Sequence, residues 1–246
     1  MAANLEKRVQ WLTAYVVFIT ALCGYLVFSS YKNAGKRENL DELTVKRINI
    51  VDESGKLLRL VISNETRQHP GRSAGVQMPK RERPAGLLFF NDDGDECGGL
   101  TYYVSREKNS VSAGTLLTMD QYHNDQVVHL MNDEAYDSSG KATWIRRGLA
   151  VNDIPIGLEL TETMKKYETL KQIADPKVRE EKIRQLRREE GGRNRLFVGR
   201  NDLDEYGLFL MDSAGSCRFK IFIDASGSPK MQTMDASGKS LNLPLR

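Results

Sequence analysis

Short apolar runs separated by an acidic or amide residue, two spacers and a glycine recur along this chain, and no other feature restricts its fold as much. Clear copies are Asp52-Glu53-Ser54-Gly55, Asn91-Asp92-Asp93-Gly94, Asp212-Ser213-Ala214-Gly215, Asp224-Ala225-Ser226-Gly227 and Asp235-Ala236-Ser237-Gly238, with a degenerate sixth near Asp120 to Asn124. An Asp or Asn at the first position caps a tight turn through its side chain, and glycine takes the positive φ that closes it. Each copy therefore predicts a reversal between antiparallel strands. The last three start at 212, 224 and 235, one strand plus one turn apart, which makes a meander of successive neighbours.

The runs between these turns predict hairpins of 43–51 with 56–63, 85–90 with 97–104, and 114–119 with 126–131. Further strands are expected at 148–151, 195–200, 206–211, 217–223, 229–234 and 240–243. Leu58, Leu60 and Ile62 alternate with Arg59 and Val61, so a period of two puts them on one face. Leu208-Phe209-Leu210-Met211 is apolar on both faces, so both faces need cover. The expectation is a mainly β domain, an antiparallel hairpin-repeat meander arranged as a closed barrel, stacked sheets or propeller-like blades rather than one open sheet. A chain of 246 residues suffices for one large β domain or two small ones.

Two segments break the β rhythm. Residues 158–190 read as an inserted helical pair, with Thr161 capping a first helix whose Met164, Tyr167, Leu170 and Ile173 share a side. Asp175-Pro176 starts the second helix, which presents Val178, Ile183 and Leu186 and stops at Gly191-Gly192. Such a pair packs on a sheet end, plugs an opening, or serves as a docking arm. Residues 64–84 form a long polar loop with Arg67, Arg72, Lys80, Arg81 and Arg83 against Glu65 and Glu82. Its readings are a solvated surface loop or a contact with anionic lipid headgroups.

Residues 9–31 contain no charge and span a bilayer's ~30 Å hydrocarbon layer as a helix. Trp11, Tyr15, Tyr25 and Tyr31 lie at or near its ends, where amphipathic rings favour the headgroup zone. The apolar stretch exceeds the ~7–15 residues of a signal-peptide core, and Ser29-Ser30-Tyr31-Lys32 is no small-x-small cleavage site. The expected layout is a cytoplasmic head at 1–10, a transmembrane helix at 11–31, a tether at 32–42 and a β-repeat domain at 43–246. Lys7 and Arg8 face Lys32, Lys36 and Arg37, so positive charge does not choose the orientation. A short head before one helix and a large domain favours a signal anchor in the inner membrane with the β domain outside.

Reactive constellations are missing. Gly71-Arg72-Ser73-Ala74-Gly75 matches a nucleophile elbow in letters, but His69-Pro70 and Met78-Pro79 replace the strand and helix that the motif needs. Ser105 to Lys108 and Ser138 to Lys141 show the loose Ser-x-x-Lys spacing without its companions. His69, His123 and His129 have no zinc-ligand spacing. The acidic run 91–96 crowds oxygen donors around one turn, yet turn chemistry already accounts for them. No catalytic, cofactor-binding or metal residue is assigned, and no cofactor is expected. A formal charge of +3 indicates no nucleic-acid partner. Cys97 and Cys217 are able to pair or to remain two buried thiols.

Leu43-Thr44-Val45-Lys46-Arg47-Ile48-Asn49-Ile50-Val51, Ala85-Gly86-Leu87-Leu88-Phe89-Phe90-Asn91 and Arg195-Leu196-Phe197-Val198-Gly199-Arg200, with the apolar span and the turn repeats, resemble a group of uncharacterised bacterial single-pass membrane-anchored proteins with D-x-x-G β-hairpin repeats. The resemblance implies bacterial origin and membrane attachment, and carries no activity. The expected function is a non-enzymatic envelope protein whose β domain is a binding or assembly module, with the lipid bilayer and a protein partner or further copies of itself as partners. The alternative is an envelope hydrolase or carbohydrate-active enzyme that brings together carboxylates such as Asp92, Asp95, Glu96 and Asp120.

Overall fold

A computed structural model describes residues 2–33 and 39–244. The chain divides into two compact units, Met1–Thr44 and Val45–Arg246. In the first, helix α1 (Ala2–Asn33) takes in the expected head as well as the span, and the tether residues 34–38 lie outside the described residues. Its Glu6–Ser29 stretch is long and apolar enough to cross a membrane. The Thr13 and Thr20 hydroxyls donate to the carbonyls of Val9 and Val16 at 2.9 and 2.8 Å, so these polar groups are satisfied by the helix itself.

The second unit begins with strands β1 (Arg47–Val51) and β2 (Leu58–Ser63), followed by the short β3 (Arg72–Ser73) and β4 (Val76–Gln77). Then come β5 (Ala85–Phe90), β6 (Glu96–Glu107), β7 (Ser110–Asp120), β8 (Gln126–Asp137) and β9 (Ala142–Asp153). Helices α2 (Leu160–Lys171) and α3 (Pro176–Glu190) intervene before β10 (Arg193–Arg200), β11 (Tyr206–Met211), β12 (Cys217–Ile223), β13 (Pro229–Met234) and β14 (Ser240–Asn242). All strands except β3 and β4 form one 12-stranded antiparallel sheet in chain order. Among the described residues β1 pairs only with β2 and β14 only with β13, so no barrel closure is found. Strands β6 to β9 run well beyond their apolar stretches, because ladder pairing from Gly98↔Met119 to Glu107↔Ser110 uses backbone groups and tolerates polar side chains.

The turns follow the side-chain capping logic. In the β5–β6 turn Asn91 N–H donates to the Asp95 carbonyl at 2.9 Å and Gly94 N–H to the Asn91 carbonyl at 3.0 Å, while Asn91 Oδ1 accepts from the N–H groups of Asp93 and Asp95. Residues 137–140 and 201–204 close in the same way, two reversals that the repeat as read above leaves out; in the second, Asp204 holds the glycine position at φ 60. The degenerate copy falls at 121–124, where Gln121 turns its amide away to the Pro155 carbonyl. Asp175 caps α3 by accepting from Lys177 and Val178, and Gly191 ends it. Thr161 does not cap α2: it lies inside the helix, and the N-cap is Glu159, whose side chain makes no cap bond. Helix α2 packs against α3, where Lys166 and Thr163 both reach Glu190.

The buried core lies on one face of the sheet. Val61, Leu88 and Phe90 form one cluster, and Ala150, Phe197, Phe209 and Phe222 a second. His69 meets the Phe90 ring edge-on at 4.9 Å and Met78 is buried, so residues from the 64–84 segment cover the first cluster. Arg146 and Lys220 sit over the rings of Phe197 and Phe222, at 4.6 and 4.0 Å, and cover the second with cation–π contacts. Leu60 and Ile62 share a face, as their alternation requires, but it is Val61, pointing the other way, that is fully buried.

Candidate functional site

Chemistry-bearing side chains gather where the 64–84 segment meets the β5–β6 turn. Ala74 at φ 49 and Gly75 at φ 74 make the two-residue turn of the β3–β4 hairpin, so residues 71–75 form a hairpin tip and not a strand–turn–helix elbow. Gly75 N–H donates to both carboxylate oxygens of Asp95, at 3.0 and 3.2 Å. The Asp95 side chain is 2% exposed, with Arg72 Nε at 3.6 Å and His123 Nε2 at 3.4 Å. His123 reaches it from a left-handed backbone position, φ 57, and its ring stacks on Tyr122 at 3.8 Å. Asp95 thereby pins the loop hairpin to two sheet turns.

One residue further on, Glu96 receives a bidentate bond from Arg83 at 2.8 and 2.7 Å, and both side chains are mostly buried. Arg83 also donates to the His69 carbonyl at 3.3 Å. His69 Nδ1 accepts from Gly71 N–H, and burial, with the charge of Arg47 next, holds its imidazole below the usual pKa. Burial first, then the negative charges of Glu96 and Asp125, push the Asp120 carboxyl up to about 7 against the pull of Arg83. Its Oδ1 is buried with no hydrogen-bond partner.

Of the four carboxylates expected to converge, Asp95, Glu96 and Asp120 are therefore drawn to one polar cluster. Asp92 is not among them: it is 93% exposed and pairs with Arg59. Asp95 and Glu96 are held by structural partners, whereas Asp120, its carboxyl raised by burial, has none on its buried Oδ1. Two clefts are lined in part by the 64–84 segment, the larger of the two by Arg83 itself. One of about 510 Å³ is lined by Tyr102, Tyr103, Asn132 and Glu134, and another of about 710 Å³ by Lys80, Arg81, Glu82 and Arg83; neither is lined by Asp95, Glu96 or Asp120. Among the described residues no group of three or more His, Cys, Asp or Glu side chains is placed to hold a metal ion. His129 lies 3.3 Å from the Asn152 amide, and Cys97 and Cys217 are free thiols whose pKa burial raises.

The sheet face opposite the core carries two apolar rows across the strands. Register aligns Ile62, Leu87, Leu100, Leu117 and Leu130 on successive strands. The same row continues through Leu149, Val198, Leu208, Ile221 and Met231. A parallel row two residues along each strand includes Leu60, Phe89, Met119, Val128, Val151 and Leu196. No charged residue interrupts either row, yet Leu130 is 54% exposed, Met119 55% and Leu149 37%. The sequence signals this face through strands apolar on both sides, but which side the chain buries emerges only from the register and the 64–84 cover. No family model, curated protein or solved structure matches the chain.

Proposed function

We propose that this chain is a non-enzymatic, single-pass membrane-anchored protein of a bacterial envelope whose β unit is a binding or assembly module working through its aliphatic face. The uncovered double row of aliphatic side chains carries this reading, because a contiguous apolar surface of that size on a soluble unit marks an interaction site. The Glu6–Ser29 helix, long and apolar enough to cross a membrane, supports the anchor.

The hydrolase alternative draws on Asp120, whose raised pKa suits a general acid. Against it stand the partners of the other three candidates: Arg59 on Asp92, the Gly75 N–H on Asp95 and Arg83 on Glu96. Chemical crosslinking of the full chain in native membranes tests the module. A crosslinked partner that Leu130→Lys abolishes, with the sheet's circular dichroism unchanged, is the expected result. A chain that stays monomeric and captures nothing overturns the reading.

A further inference from the structure

We infer that the aliphatic face is covered by the same face of a second copy of this chain, two sheets stacked across a twofold axis. The inference rests on the reading of the β unit as an assembly module and names its partner. Area is the first argument. With some twenty apolar positions exposed to varying degrees, the face presents on the order of 1,000 Å², against the ~300–600 Å² of the largest patch on a typical monomer. About 800 Å² per partner is what a stable interface buries, so the face reaches that class when most of its strands take part in the contact.

Chemistry is the second. The two rows offer no charge or hydrogen-bonding pattern by which an unlike partner would be selected, whereas an aliphatic surface is complementary to itself. The polar groups along one rim are satisfied among themselves: Arg147 donates to Asn132 at 2.6 Å and Glu134 at 3.0 Å, and Tyr136 to Glu134 at 2.6 Å. An apolar centre with a polar rim is the anatomy of a protein interface.

The bilayer is a poor fit. Two rows about 7 Å apart give a band of roughly 14 Å with their side chains, short of the ~25 Å band of a lipid-facing sheet. Stacked sheets need only ~10 Å of separation, which interdigitating Leu and Ile side chains fill. Strands apolar on both faces require two covers, and among its described residues the β unit supplies one. Shared anchoring in one membrane raises the local concentration of copies.

Strands β8 and β9 are the sixth and seventh of the twelve, so a twofold axis through the middle of the face passes near Leu130 and Leu149, and each copy's Leu130 approaches its counterpart. The test uses the full chain in native membranes, with Cys23→Ser removing the thiol of the apolar helix. Leu130→Cys in that background is expected to form a disulfide-linked species of twice the chain's mass on mild oxidation, and Ser226→Cys on an exposed turn is not. In mild detergent, Leu130→Lys with Leu149→Lys is expected to weaken dimerisation by about 100-fold or more with an unchanged circular dichroism spectrum.

Crosslinking of Leu130→Cys only into a species of another mass overturns the second copy and leaves the binding module standing. A monomer with no crosslink of any kind overturns both.

Discussion

Asp120→Asn is expected to stabilise the β unit in alkaline solution and much less in acid. The Asp120 carboxyl is pushed from 3.8 to about 7 by burial and by Glu96 and Asp125, so the folded chain keeps a proton that the unfolded chain has released between those values. Stability from this group is complete below pH ~4, falls as pH rises, and is gone above pH ~7. A shift of about three units corresponds to roughly 4 kcal/mol, of which about 1.5 is already lost at pH 5, leaving about 2–3 kcal/mol to be lost between pH 5 and 8. Asn has the same shape and no charge, so the variant escapes that loss. Guanidinium unfolding of the full chain in detergent, with wild type and variant compared at pH 5 and pH 8, reads the difference directly. The variant's advantage should grow by about 2–3 kcal/mol between the two pH values, or roughly 5–10 °C in Tm for a unit of this size. An advantage that is the same at both pH values would refute a buried, proton-holding Asp120.

Asp95→Ala removes the acceptor of the Gly75 N–H and a charge facing Arg72, and is expected to cost about 2–3 kcal/mol and to speed proteolysis within 64–84; Asp92→Ala, at an exposed turn, should change stability by under about 0.5 kcal/mol. Gly199→Ala places a Cβ into the Arg147 carbonyl oxygen of the neighbouring strand at φ +147, and is expected to cost more than about 3 kcal/mol by denaturant titration. Gly227→Ala, at a turn with open space around it, should cost only about 1 kcal/mol, the strain of its positive φ. Asp175→Ala removes the cap of α3 and should cost about 1 kcal/mol, seen as faster hydrogen exchange in the first turn of that helix.

Much of the architecture was legible in the letters because it is local. Asp or Asn followed three residues later by Gly bonds to its own turn whatever the rest of the chain does, and Asp175-Pro176 starts a helix for the same reason. Thr161 misled because a hydroxyl capping position looks alike in sequence one or two residues either side of the true start. The charge cluster was legible only in part. Asp95 and Glu96 stand in a run of acids, but Asp95 with Gly75 joins positions 20 apart, and Glu96 with Arg83 depends on how a loop returns.

Sequence alone determined that the chain carries an apolar helical span and a succession of antiparallel reversals, since hydropathy and turn capping act over a few residues. Tertiary structure alone decided that the strands make a single sheet in chain order, and that Val61 and Phe197 go inside while Leu130 and Leu149 stay outside. Both faces are apolar, so hydrophobicity does not choose between them. The choice falls to the return path of residues 64–84 and the cations over Phe197 and Phe222, which cover one face and leave the other open.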